Sequence, residues 1–121
     1  MTKKETTLLD NKWSKLVKTI AEDRCEYCGR PDRLNSHHIF SRSKRSTRWD
    51  IDNGVCLCAG HHTLLNWSAH KAPIEFIEWI REQRGETWYQ RLRLKANQTV
   101  RPDYNLEKLY LEKKMKKYEN C

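Results

Sequence analysis

The sequence predicts a small α+β fold, with two short strands and a helix gathered round bound metal and wrapped by N- and C-terminal helices. Three observations predict it. Two ligand pairs, Cys25-x2-Cys28 and Cys58-x2-His61, have the spacing of a structural metal site. Apolar residues recur at helical spacing on both sides of that segment. Between the pairs, two short β-branched or aromatic stretches flank a turn signal.

The bulk composition bounds what such a chain can be. Its 121 residues suit one domain, 1–121, with a metal-centred core over about 24–70. Hydrophobic residues make up 37% and charged residues 33%, so apolar material is scarce and a metal staple would supplement the core. No stretch reaches the length of a membrane span, and Met1–Glu5 lacks the apolar run of a secretory signal. The expectation is an intracellular, cytoplasmic protein with no membrane partner. There are 24 Lys and Arg against 16 Asp and Glu, a net charge of +8. That balance favours a polyanionic partner, of which nucleic acid is the commonest.

The elements follow in order. Leu9, Trp13, Leu16, Val17 and Ile20 form an apolar stripe opposite Lys12, Lys15 and Lys18, predicting a helix over 8–21. Cys25 to Gly29 is a tight knuckle, with Gly29 letting the backbone fold back towards a metal. Residues 35–40 and 54–58 are expected to pair as strands, with Asp52-Asn53-Gly54 as the turn before the second. A helix is expected from Ala59 to about Ser68. Pro73 suits the first turn of the next helix, which carries the row Ile74, Ile77 and Ile80. Gly85 breaks that helix, and Trp88 and Leu92 carry a further helix to about Lys95, so the helical region spans about 73–95. Leu106, Leu109, Tyr110 and Met115 predict a last helix over about 105–118. Trp13, Trp49, Trp67, Trp79 and Trp88 are expected in the core rather than as base-stacking residues.

Structural zinc takes four Cys and His ligands, and two residues between a pair let one turn supply both. Cys25, Cys28, Cys58 and His61 therefore make a Cys3His site of the treble-clef kind. Cys56 shares a strand face with Cys58 and is the alternative fourth ligand. A knuckle facing a helix start favours His61. Cys121 stands apart from the cluster. Arg42, Lys44, Arg45 and Arg48 lie in a loop with no acid from Ser36 to Trp49, which fits contacts with DNA phosphates.

The ordered set Cys-x2-Cys, His37-His38-Ile39, Asn53, and Leu57-Cys58-x2-His61-His62 resembles the HNH endonucleases, whose catalytic unit is the ββα-metal motif. The resemblance covers about Arg24 to His70 and includes the Asn53-x4-Cys58 spacing. The run Arg48 to Asn53 is similar to the stretch preceding that Asn in phage HNH and lambdoid recombination endonucleases. The resemblance implies a metal-dependent nuclease that leaves 5′-phosphate and 3′-hydroxyl ends. It implies His38 as general base, and His37 and His62 as ligands of one catalytic divalent ion. It also implies that Asn53 fixes the loop and the His38 ring through its amide. The family often has an acid where His37 stands and a Cys where His61 stands. The first change makes the ligand set softer, open to Mn2+, Ni2+ or Zn2+ as well as Mg2+.

Geometry adds two constraints. Neighbouring residues on a helix point about 100° apart, so His61 and His62 serve separate sites. On a regular strand His37 and His38 would point to opposite faces. The resemblance implies that the strand ends or bends there. His70 is open to three roles: a third ligand, a phosphate contact, or a surface residue. Two further readings use the same residues: a catalytically inactive zinc-stabilised DNA-binding module, or a protein-interaction module in a phage or repair assembly.

Overall fold

The computed structural model describes residues 1–119; Cys121 lies outside them. Helix α1 runs Lys3–Ile20, then β1 Leu34–His38 and β2 Gly54–Cys58. A π-helical turn follows at Gly60–Leu64, then α2 Pro73–Arg84, α3 Glu86–Ala96 and α4 Tyr104–Glu119. Helix α1 starts before the apolar stripe because Thr2 caps it. The Thr2 hydroxyl accepts from the Glu5 N–H, while the Glu5 carboxylate accepts from the Thr2 N–H. Pro73 occupies the first turn of α2, and Gly85, at φ 96°, separates α2 from α3.

The two strands are antiparallel, pairing His38 with Gly54, His37 with Val55 and Ser36 with Cys56. Strand β1 stops at His38, so Ile39 and Phe40, expected in the strand, leave the sheet. Each face of the ribbon is covered by a different set of helices. On one side, α1 packs on both strands and on α4, burying Leu9, Trp13, Leu16, Val17, Trp49, Cys56 and Leu111. On the other, Val55 and Leu57 are buried with Cys25, Cys58, Phe76 and Ile80. Full burial of one such large side chain contributes about 1.5–3 kcal/mol. Arg84, near the end of α2, donates to the Gly54 carbonyl and to Glu26, both at 2.9 Å, which ties α2 to the sheet.

The helix expected from Ala59 to Ser68 is not formed. Only the π turn forms, closed by the Leu65 N–H on the Gly60 carbonyl at 2.9 Å. Beyond it the chain folds back, and the N–H groups of Ala69 and His70 bond to the carbonyls of His61 and His62. The segment has no apolar stripe to hold a regular helix against the core: Leu64 and Leu65 are exposed. Of the five tryptophans, Trp13 and Trp49 are buried, and Trp67, Trp79 and Trp88 are half-buried. Among the described residues, no helix is long and apolar enough to cross a membrane.

Candidate active site and metal centres

The knuckle forms as a turn in which the Gly29 N–H bonds to the Cys25 carbonyl at 2.8 Å, with Gly29 at φ 79°. It is stitched to β2 by the Glu26 N–H on the Cys56 carbonyl and by the Cys56 N–H on the Glu26 carboxylate. This brings the ligand atoms of Cys25, Cys28, Cys58 and His61 within 4.8 Å of one another. The Cys28 and Cys58 sulfurs are 3.8 Å apart, and His61 Nδ1 is 3.2 Å from Cys58 Sγ and 4.0 Å from Cys25 Sγ. A tetrahedron with Zn–S bonds of about 2.3 Å has S···S edges of about 3.8 Å, so the donor set fits zinc. Burial opposes the Cys25 thiolate, but backbone hydrogen bonds at Cys58, Cys28 and Tyr27 outweigh it and lower its pKa. Tyr27 stacks on Trp67 at 4.0 Å and packs against the His61 ring at 4.6 Å, closing one side of the cluster.

Cys56 is not part of this group. It is fully buried on the α1 side of the ribbon, whereas Cys58, at the strand end, joins the opposite cluster. Burial pushes the Cys56 thiol up to about 12, and its sulfur is not among the ligand atoms that converge.

A second cluster lies beyond the π turn. His37, His62 and His70 hold ring nitrogens within 4.8 Å of one another, with His62 Nε2 and His70 Nε2 3.0 Å apart. Three converging imidazoles suit a divalent transition ion. Burial, followed by the facing His62 and His70 rings, drives the His37 pKa down to about 3. Burial and His70 lower that of His62 as well. Both are therefore neutral, with lone pairs available, at neutral pH. The π turn lets consecutive histidines serve two centres: His61 joins the cysteines and His62 joins the imidazoles.

His37 and His38 point to opposite faces of a regular strand. His37 packs edge-on against His62, His70 and Phe76. His38 stacks flat on Trp13, with centroids 3.9 Å apart and planes 8° apart. No bend is needed, because the strand ends at the mouth of one open cleft of about 600 Å³. His37, His38, Arg42, His62 and His70 all line it. His38 Nε2 lies 2.9 Å from the Arg48 carbonyl oxygen. A carbonyl only accepts, so Nε2 carries the proton and Nδ1 keeps the lone pair. Burial lowers the His38 pKa, which favours that neutral form.

Asn53 holds the loop but not the ring. Its amide donates to the Phe40 carbonyl at 3.0 Å and accepts from the Phe40 N–H at 2.7 Å, while its own carbonyl accepts from the Ile39 N–H. Fully buried, it clamps the chain immediately after His38. The ring is held instead by Arg48 and Trp13, correcting the expectation of a direct amide contact.

The four basic loop residues have different surroundings. Arg42 is exposed at the cleft. Lys44 reaches Asn97 at 3.4 Å, and the Arg45 guanidinium lies over Trp49. Arg48 is half-buried in a two-pronged ion pair with Asp10, at 3.0 and 2.8 Å. Its charge is already matched within the protein, which leaves it the least available of the four for a phosphate. Sequence reasoning assigns His70 no single role and does not reach Asp10. The only sequence signal for Asp10 is its place three residues before Trp13 on a helix.

Residues 25–67 match the family model described as HNH endonuclease. No curated protein and no solved structure matches.

Proposed function

We propose, from the premise that residues 25–67 are a domain of the HNH endonuclease family, that this chain is a metal-dependent DNA endonuclease with His38 as its general base. The observation that carries the reading is the arrangement of the His38 ring: its Nε2–H is spent on the Arg48 carbonyl, while the ring borders the cleft lined by His37, His62 and His70. That leaves Nδ1 to take a proton from water as its oxygen attacks phosphorus. The P–O3′ bond breaks, the 3′ oxygen acquires a proton from solvent, and the ends are a 5′-phosphate and a 3′-hydroxyl. His37, His62 and His70 would hold the divalent ion, which when bound stabilises charge on the phosphate and the departing oxygen. Arg42, Lys44 and Arg45 would hold the DNA backbone. Asn53 keeps the loop after His38 in register. Cys25, Cys28, Cys58 and His61 would hold structural zinc and so fix the start of the π turn.

A plasmid-nicking assay with Mg2+, Mn2+, Ni2+ or Zn2+ tests this. Wild-type protein should nick, and His38→Ala should lose at least about a hundredfold in rate while keeping its zinc and its DNA affinity. Salt-dependent binding with no cleavage under any ion would instead identify an inactive DNA-binding module.

A further inference from the structure

Three successive residues, Arg48, Trp49 and Asp50, are each tied to α1. The Asp10 carboxylate accepts from Arg48 Nε and Nη2 at 3.0 and 2.8 Å and from the Trp49 indole N–H at 2.9 Å. The Trp13 indole N–H donates to the Asp50 carbonyl at 2.8 Å. The Arg48 carbonyl between these anchors is the one that holds His38 Nε2. Trp13 also presents its face to the His38 ring. Asp10 and Trp13 lie three residues apart, hence on one side of α1. Both lie outside residues 25–67, the segment that matches the family model.

We propose that Asp10 and Trp13 are positioning residues for His38: Asp10 fixes the carbonyl that selects the imidazole tautomer, and Trp13 fixes the plane of the ring. The proposal rests on the reading of His38 as general base. It makes the HNH segment dependent on a helix outside itself. A charged carboxylate that accepts three hydrogen bonds from two adjacent residues restrains the peptide between them more firmly than neutral bonds would. Without it the Arg48 carbonyl can shift, and the His38 ring can exchange its N–H between Nδ1 and Nε2. Only one of those forms leaves a lone pair on the nitrogen facing away from the anchor.

Single-turnover nicking across a range of protein concentrations separates rate from binding. For Asp10→Ala the maximal rate should fall about a hundredfold, the effect of a small misplacement of a reacting group. The half-saturating concentration should not rise, because Arg42, Lys44 and Arg45 are untouched and the Arg48 charge is released. Asp10→Asn, which keeps acceptors for Trp49 and for one Arg48 donor, should recover part of the rate. In a His38→Ala background, Asp10→Ala should have no further effect. Long-range 1H–15N spectra give a readout free of catalysis: one Nε2–H tautomer of His38 in the wild type and a mixture in Asp10→Ala. Zinc content and thermal unfolding check that each variant is folded, and Asp10→Asn carries the test if the alanine variant is not. A folded Asp10 variant with wild-type rate and a single tautomer overturns the proposal. A His38→Ala protein that nicks normally overturns the base assignment beneath it.

Discussion

Replacing Gly54 by alanine should destabilise the protein through crowding, not through backbone strain. Gly54 has φ −114° and ψ 144°, ordinary extended backbone open to any residue. Its difficulty is space. A Cβ at this position would overlap Val17 Cγ2 outright and sit 2.9 Å from Trp13 Cζ2 and 3.2 Å from Val17 Cγ1. Val17 and Trp13 are 3% and 2% exposed, so neither has free volume to move into. Overpacking of this kind costs about 1–3 kcal/mol. With about 2 cal/mol/K of unfolding entropy per residue over 121 residues, each kcal/mol lowers Tm by about 4 °C. Gly54→Ala should therefore melt about 4–12 °C below wild type in thermal unfolding of the zinc-loaded protein. Because Trp13 bears on the His38 ring, its displacement should also slow nicking at temperatures where the variant is folded. Gly29→Ala is the contrasting control. It meets no atom within 4 Å but sits at φ 79°, so its cost is the conformational one of about 1 kcal/mol. A Gly54→Ala protein that melts within about 2 °C of wild type would refute the close packing of α1 on β2.

Other consequences can be measured directly. Cys58→Ser should abolish tight zinc binding and cooperative unfolding, whereas Cys56→Ala should retain one zinc per chain by elemental analysis; equal zinc loss in both would return Cys56 to the ligand set. His70→Ala should weaken Mn2+ binding in calorimetry by about ten- to a hundredfold, and unchanged affinity would remove His70 from the site. Because the His37 pKa is lowered to about 3 and that of His62 is lowered too, little proton competes for either ring above pH 6.5. In the His70→Ala protein Mn2+ affinity should then hold steady from pH 8 down to pH 6.5 and decline only below it; a steep fall above 6.5 would count against these neutral imidazoles. Replacing Arg42, Lys44 and Arg45 together by alanine should flatten the log–log salt dependence of DNA affinity by as much as about 2.7, at about 0.9 for each phosphate no longer neutralised. Arg48→Ala should flatten it less, since Asp10 already matches that charge.

What the sequence makes legible follows from the range of the interactions involved. The ligand pairs Cys25–Cys28 and Cys58–His61 are local, and their spacing alone fits a turn and a strand end that can offer both side chains to one ion. The opposite faces of His37 and His38 follow from the two-residue period of a strand, and both are realised. Helix α1 is legible in its stripe but not in its start, because Thr2 and Glu5 cap it without contributing any apolar periodicity. The segment after Ala59 misleads for a different reason. Only Ala59, Leu64 and Leu65 favour a helix there, Gly60, Thr63, Asn66 and Ser68 do not, and with no apolar face backbone bonds to Gly60, His61 and His62 shape the segment instead. Gly54 reads as a turn residue because it follows Asn53, yet its role is steric and set by a helix far back in the chain.

The environment of His38 shows why a site can be legible while its control is not. The motif residues lie close together and announce themselves by type. The groups that orient the His38 ring lie elsewhere in the sequence: Arg48 in the loop, and Asp10 and Trp13 in α1. Nothing in a carboxylate at position 10 marks it as the acceptor for Arg48 and Trp49 until α1 is laid across the ribbon. The helix also buries Leu9, Leu16 and Val17, so stability and ring orientation are imposed by one packing event. Loosening α1 should therefore degrade His38 geometry before it disturbs the Cys25, Cys28, Cys58 and His61 cluster, which lies with the other set of buried residues beneath α2. Mild urea offers the discriminating measurement: nicking and the single His38 tautomer should be lost together while zinc is retained. Simultaneous loss of zinc would mean that the two faces of the ribbon unfold as one unit.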